Sequence, residues 1–225
     1  MNRPYIICHM MTSLDGRIDC SMTKKLRGTE EYYKILDDLN ISVVLCGRVT
    51  AELEMADKEK YSAKNNEIIE TESFSKKLNA KGYNVVTDTM GTLLWNNYSE
   101  ERPLLIITSE QTKKEYFDYL NSKNISWIAC GKEKINIKRA MEILKEEFNI
   151  HRLAVTGGGT INGGFLEEKL FDEINILIGP GIDGRKGMTS VFDGLSMERE
   201  PVQLELKNVK SFENGAVWIQ YKVLN

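Results

Sequence analysis

Leu153-Ala154-Val155-Thr156-Gly157-Gly158-Gly159-Thr160-Ile161-Asn162-Gly163-Gly164-Phe165-Leu166 carries an apolar strand through three successive glycines directly into an apolar helix. Residues without a side chain let the backbone approach a ligand closely, and the first amides of a helix have no partner within it. With the helix dipole added, the run is suited to holding a phosphate. Spacing excludes two kinds of phosphate loop. A P-loop needs Gly-Lys-Ser/Thr after its four intervening residues, and the first lysine after these glycines is Lys169. A dinucleotide fingerprint opening at Gly157 needs glycine where Asn162 stands, and it belongs after the first strand of a fold, not this late. On glycine content alone, a tight strand-to-helix turn without a ligand remains open.

Elsewhere in the chain, strand-like runs occupy Tyr5 to Met11, Val43 to Cys46, Asn84 to Thr87, Leu104 to Thr108, Ser126 to Cys130, Leu153 to Thr156 and Glu173 to Ile178. Helical periodicity lies between them. Glu30 to Leu39 presents Tyr32, Tyr33, Leu36 and Leu39, Thr112 to Ser122 presents Tyr116, Phe117 and Leu120, and Lys138 to Phe148 presents Ala140, Met141, Leu144 and Phe148. Strands alternating with one-faced helices predict an α/β fold with a largely parallel sheet. The pattern then changes toward the C-terminus. Val202 to Lys210 and Ala216 to Val223 alternate imperfectly around Asn214-Gly215, which predicts a C-terminal antiparallel hairpin. That hairpin suits either an interface or a sheet with one face on the core. Residues 58–81 are charged and weakly periodic and read as a surface excursion docked by Ile68, Ile69 and Phe74. With no repeat or linker, a single domain over residues 1–225 is expected.

The net charge is −3 with both signs mixed along the chain, so there is no basic field to track nucleic acid or an anionic membrane. A small-molecule partner fits better. The apolar runs are of strand length, too short for a membrane helix, and the N-terminal residues lack the long apolar region of a signal peptide, so a cytoplasmic protein is expected. Cys8, Cys20, Cys46 and Cys130 are scattered and read as small core residues in a reducing compartment. His9 and His151 are far apart, so no metal is expected, and the absence of H-x-E and P-C-x-x-C argues against a zinc nucleobase deaminase.

Ligands of open α/β sheets bind beyond the carboxyl ends of the strands. Those ends supply Thr12-Ser13-Leu14-Asp15-Gly16-Arg17-Ile18, Gly47-Arg48-Val49-Thr50, Thr87-Asp88-Thr89-Met90-Gly91, Thr108-Ser109, Gly131-Lys132 and the triple-glycine turn. Hydroxyls, glycines and cations at nearly every end suit an extended, phosphate-bearing ligand. Arg48 offers a bidentate guanidinium and Thr50 a hydroxyl to one phosphate. Each residue has a plainer reading too: Thr50 or Ser109 as a helix cap, Asp15-Gly16 as a turn, Arg48 as a surface ion pair. Their joint position at strand ends is what favours a site.

These motifs, together with Pro4-Tyr5, Asp172-Glu173 and Gly179-Pro180, resemble the reductase domain of bifunctional riboflavin-biosynthesis proteins, over almost the whole chain. The resemblance implies a dihydrofolate-reductase-like three-layer α/β fold with a mixed, mostly parallel sheet of eight to nine strands ending in the antiparallel hairpin. It also implies an NADPH-dependent reductase that is a homodimer, acting on 5-amino-6-(5-phosphoribosylamino)uracil or a related pyrimidine or pteridine. By position, Gly47, Arg48 and Thr50 would contact the cofactor phosphates, and Gly158, Gly159, Thr160 and Ile161 would cradle the pyrophosphate, with Gly157 also binding the cofactor. Thr87 and Asp88 fall where the family places the adenosine ribose and its 2′-phosphate, with Thr108 and Gly131 nearby. Asp88 could instead accept from the ribose hydroxyls of NADH; NADPH is preferred because Arg48 and Lys132 can compensate the carboxylate. Met11, Thr12, Ser13, Arg17, Arg27 and Thr156 would form the substrate side, the two arginines taking its phosphate. Asp15 and Glu54 are the candidate proton donors.

The chain departs from the family on that substrate side. Thr156 stands where a glutamate usually precedes the glycines, and Glu52-Leu53-Glu54-Met55-Ala56-Asp57 replaces an Asp-Asp-Pro. No deaminase motif is present, so a stand-alone reductase is expected. A reductase of the same fold with a substrate outside the riboflavin and folate pathways, and an NADP(H)-binding sensor without turnover, are the alternatives.

Overall fold

The computed structural model describes residues 2–96, 98 and 101–224. Its contacts group the chain into two compact units, Met1–Pro4 with Ser42–Leu153, and Tyr5–Ile41 with Ala154–Asn225.

The first unit holds β2 (Val43–Gly47), β3 (Ser73–Ser75), β4 (Tyr83–Thr87), β5 (Leu104–Thr108) and β6 (Ser126–Ala129), in the order β3-β6-β5-β4-β2. All pairs are parallel except β3 with β6. Helices α3 (Arg48–Glu54), α4 (Lys114–Ser122) and α5 (Ile137–Glu146) belong to this unit. One core joins Val86, Leu104, Ile106 and Trp127 of the strands to Trp95, Tyr116, Phe117 and Leu120. The second unit holds β1 (Tyr5–Thr12), β8 (Glu173–Ile178), β9 (Leu204–Ser211) and β10 (Val217–Val223), in the order β1-β8-β10-β9, with α1 (Cys20–Thr23), α2 (Thr29–Asp38) and α6 (Gly159–Glu167). Here β1 runs parallel to β8, and β10 runs antiparallel to both β8 and β9. The chain passes between units within β7 (Arg152–Val155).

All nine expected strands form, and the described residues add β3, which makes ten where eight or nine were expected. That strand lies in the charged excursion, where Phe74 is exposed at the sheet edge and meets Phe148 edge-on, while Ile69 packs on the core and Ile68 bridges Lys113. α4 begins at Lys114 and not at Thr112, whose hydroxyl donates to the Thr89 carbonyl. No helix among the described residues is long and apolar enough to cross a membrane.

Three helices end by one device. Asn40, Asn124 and Asn149 adopt positive φ (53°, 56° and 56°), and the isoleucine after each donates its amide back, Ile41 to Leu36, Ile125 to Leu120 and Ile150 to Leu144. Asparagine tolerates the left-handed region, and the following apolar residue seals the helix end against the core.

Cys8, Cys46 and Cys130 are buried and no described cysteine is in a disulfide; burial pushes the Cys130 thiol up to about 12, with Glu72 adding to it. His9 is fully buried, stacked on Tyr32 at 4.4 Å between ring centroids, and its Nε2 lies 3.0 Å from the Tyr32 carbonyl. Burial lowers its pKa from 6.5 to about 4, against the opposing pull of that carbonyl. The unfolded chain therefore binds the proton at higher pH than the folded protein does. Stability is expected to fall as pH drops from 6.5 toward 4, by about 3 kcal/mol in total from this residue. Denaturant unfolding across that window should show the slope in the native protein and a shallower one in His9→Gln; equal slopes would refute it.

Candidate active site

In the first unit, parallel pairing brings the carboxyl ends of the strands to one sheet edge. Gly47 of β2 pairs with Thr87 of β4, and Thr108 of β5 with Ala129 of β6, two residues before Gly131. Gly47 is extended (φ −83°, ψ 165°) and caps α3, whose first residue is Arg48. The Arg48 guanidinium meets Glu52 at 2.5 Å, so it is partly committed, while Thr50 is half-buried. Thr87 and Thr108 lie against neighbouring strands, their hydroxyls donating at 3.4 Å to the Cys46 and Ile128 carbonyls. Gly131 has φ 92°, and a Cβ there would fall 2.2 Å from the Lys134 carbonyl oxygen; its glycine is required by the chain's own loop.

Asp88 is fully buried, with one carboxylate oxygen accepting from the backbone amides of Thr92 at 2.6 Å and Leu93 at 2.8 Å, and the other from the Thr92 hydroxyl at 3.2 Å. These hydrogen bonds turn its acceptors into its own loop. Lys132, named as a compensating cation, is exposed.

In the second unit, α6 starts at Gly159 with Gly158 as its cap, and no side chain occupies the cap position. The amides of its first turn, from Gly159 through Ile161, therefore have no helical acceptor. The Gly157–Gly158 peptide is cis. Gly157 (φ 107°) packs under Met10, and a Cβ on Gly159 or Gly163 would meet the Ser190 or Asp193 carbonyl oxygen at 2.4 or 2.1 Å. Asn162 is fully buried and donates from Nδ2 to the Val191 carbonyl at 2.8 Å. The glycines thus do two jobs. Gly159 and Gly163 admit the 189–193 segment of the same chain, which Asn162 ties down, whereas Thr160 is exposed and Gly158, Ile161 and Thr156 are half-buried. The 189–193 segment is not legible from sequence, since it lies far along the chain from the glycines and has no periodicity of its own; Asn162 in place of a fingerprint glycine is the one clue.

Met11 and Thr12 are buried at the end of β1, which leads into a turn closed by the Ser13 amide on the Arg17 carbonyl at 3.0 Å. Ser13 donates to the Asp15 carboxylate at 2.6 Å, and the amides of Asp183 and Gly184 donate to it at 2.9 and 3.0 Å. Arg17 donates to the Met188 carbonyl at 2.6 Å, and Arg27 is exposed. The Ser13 hydroxyl, with the two amides, holds the Asp15 carboxyl well below the usual carboxylate range. A proton donor needs the opposite shift, so this carboxylate is set up to anchor the 183–184 loop. Asp15→Asn is expected to leave the pH profile of kcat unchanged and to make residues 181–187 more susceptible to limited proteolysis. A lost acidic limb in that profile would overturn the anchoring role. Glu54, the other candidate acid, is exposed at the end of α3. Among the described residues no cluster of His, Cys, Asp and Glu could hold a metal ion.

The described fold is α/β, with parallel strands whose carboxyl ends gather glycines, hydroxyls and a cation. A solved structure titled a pyrimidine reductase-like protein, from Corynebacterium diphtheriae, shares that fold at TM-score 0.71 and 18% identity, covering 100% of this chain and 93% of that one. Two curated relatives are named 2,5-diamino-6-ribosylamino-4(3H)-pyrimidinone 5′-phosphate reductase. The one from Archaeoglobus fulgidus is 28% identical over 86% of this chain and 88% of its own. The one from Aquifex aeolicus is 25% identical over 100% of this chain and 99% of its own. These likenesses define the class: an α/β oxidoreductase. The RibD C-terminal domain model matches residues 4–218, and the chain belongs to that family. Membership favours a reductase of riboflavin biosynthesis over a sensor or a reductase of another pathway, and calls for a nicotinamide cofactor.

Proposed function

We propose that the protein reduces a ribosylamino-pyrimidinone 5′-phosphate, the substrate class named for its relatives, by hydride transfer from NADPH. The observation that carries this is the family match across residues 4–218, which takes in both the Asp15 turn and the glycine turn. The residues suit a dinucleotide: in the first turn of α6 Thr160 is exposed and Ile161 half-buried beside a half-buried glycine cap, and Arg48 keeps a 44% exposed side chain at a strand end.

The bound nicotinamide supplies the hydride, and the chain's residues bind, orient and exclude water. In this reading Gly157, Gly158, Gly159, Thr160 and Ile161 hold the pyrophosphate, Gly158 through Ile161 with amides and Gly157 by its close turn. Gly47, Arg48 and Thr50 take phosphate, and the Thr87, Asp88, Thr108 and Gly131 loops form the adenosine side through backbone and hydroxyl groups. Met11, Thr12, Ser13 and Thr156 orient the heterocycle, and Arg27, with the part of Arg17 not committed to Met188, attracts the substrate phosphate. With Asp15 committed to its loop, Glu54 is the acid left to deliver the proton, tested by the kcat of Glu54→Gln. Fluorescence titration with NADPH and NADH in parallel tests the reading: micromolar NADPH binding is expected, and binding of neither nucleotide would refute it. Four cysteines outside any disulfide suit a cytoplasmic location.

We further propose a homodimer. All of β9 is exposed, and the register sets Leu204, Leu206 and Val209 on one face with Val223, Tyr221 and Ile219 of β10. The extra residue at Lys207 keeps Leu206 and Val209 together on that face. The opposite face is covered by Ile35, Tyr32 and Leu39 of and beside α2, against Leu177 and Trp218. The apolar residues exposed along β9 on this face suit a second copy of the chain. Sedimentation should give a dimer, and Leu206→Lys a monomer; a monomeric native protein would contradict it.

A further inference from the structure

Next to the strand end where Gly47 pairs with Thr87 lies a cluster of three charges, of which the reductase reading uses only Arg48. Arg48 Nη1 meets Glu52 Oε1 at 2.5 Å, and the Lys60 ammonium contacts that same oxygen. Side-chain exposures of 44% for Arg48, 24% for Glu52 and 48% for Lys60 leave both cations open to solvent, with the carboxylate lower between them. An Arg48–Glu52 pair alone is neutral, and its carboxylate would repel an incoming phosphate. Lys60 offsets that carboxylate, so the cluster keeps one excess positive charge and Arg48 keeps its attraction for a dianion.

Lys60 is held in place from below. It bridges Leu93, Asp57 donates its amide to the Leu94 carbonyl at 2.9 Å, and Tyr61 donates its own to the Thr92 carbonyl at 2.8 Å. Thr92 and Leu93 are in turn fixed by the buried Asp88 carboxylate directly after β4. One continuous set of contacts therefore runs from the end of β4 through Asp88, Leu93, Lys60 and Glu52 to Arg48 at the end of β2.

We propose that Lys60 is a specificity-determining residue: by neutralising Glu52 it leaves Arg48 free to read the 2′-phosphate that distinguishes NADPH from NADH. This rests on the reductase reading above. The test is equilibrium binding of both nucleotides to the full chain at low and high salt, followed by nicotinamide fluorescence. Lys60→Met is expected to lower NADPH affinity about three- to fivefold at low salt, with less effect at high salt, and to leave NADH affinity unchanged. Lys60→Arg should retain the preference, and Glu52→Gln in the Lys60→Met background should restore it without restoring the lysine. Equal losses for both nucleotides, or no loss in Lys60→Met while the native protein binds both, would overturn the role of Lys60 and leave the reductase reading standing. Binding of neither nucleotide to the native protein would overturn both.

Discussion

Gly158→Asp is expected to reduce NADPH affinity by about a hundredfold or more while leaving the protein folded. Gly158 caps α6 in an extended conformation and supplies no side-chain acceptor. Aspartate is among the best cap residues, so the helix itself should lose nothing. Its carboxylate would, however, accept from the first-turn amides and place a negative charge where the pyrophosphate is to sit. A like-charge contact at about 4 Å near a protein surface costs about 4 kcal/mol, which is more than a hundredfold in affinity. Gly158→Ser, a neutral cap, separates charge from occupancy and should lose far less. Parallel nucleotide titrations check both variants. Unchanged binding in Gly158→Asp would mean that the glycine turn serves only the chain's own packing.

Asp88→Ala should cost about 3 kcal/mol of stability, measured by denaturant unfolding. The fully buried carboxylate satisfies the Thr92 and Leu93 amides and the Thr92 hydroxyl. Its removal leaves those donors unpaired beside the Trp95 and Leu93 core, each orphaned group costing about 1–3 kcal/mol. Asp88→Asn keeps an acceptor oxygen and should lose a smaller part. A change below about 0.5 kcal/mol in Asp88→Ala would show that the loop does not depend on this carboxylate.

Elements whose burial writes itself into the sequence were legible. Leu104 to Thr108 is fully buried and its first four residues read as an uninterrupted apolar run, and the one-faced pattern of α5 matches its buried Ala140, Met141 and Leu144. The repeated Asn-Ile pairs at 40–41, 124–125 and 149–150 were also there to be read as helix stops, because a left-handed asparagine followed by a buried isoleucine is a local signal. β3 was not legible: its three residues gain their extended form from pairing with β6, not from any pattern of their own.

The site divides in the same way. Glycines announce close approach but not what approaches, and at Gly159 and Gly163 it is the chain itself, from residues distant in sequence. A carboxylate in a strand-end loop reads alike whether it meets a ligand or its own backbone. Asp15 and Asp88 both accept from main-chain amides of nearby loops, and such hydrogen bonds leave no trace in residue type. Glu52 and Lys60 were hidden for the complementary reason: their pairing depends on Lys60 being laced to Leu93, a contact between segments with no shared periodicity.

Turnover of the proposed substrate is the decisive measurement. The purified protein is mixed with NADPH and a 2,5-diamino-6-ribosylamino-pyrimidinone 5′-phosphate, and loss of the reduced-nicotinamide absorbance is followed together with mass analysis of the product. Substrate-dependent oxidation of NADPH, with a product two hydrogens heavier than the substrate, is the result expected. NADPH binding without any such turnover, at saturating concentrations of both, would contradict it.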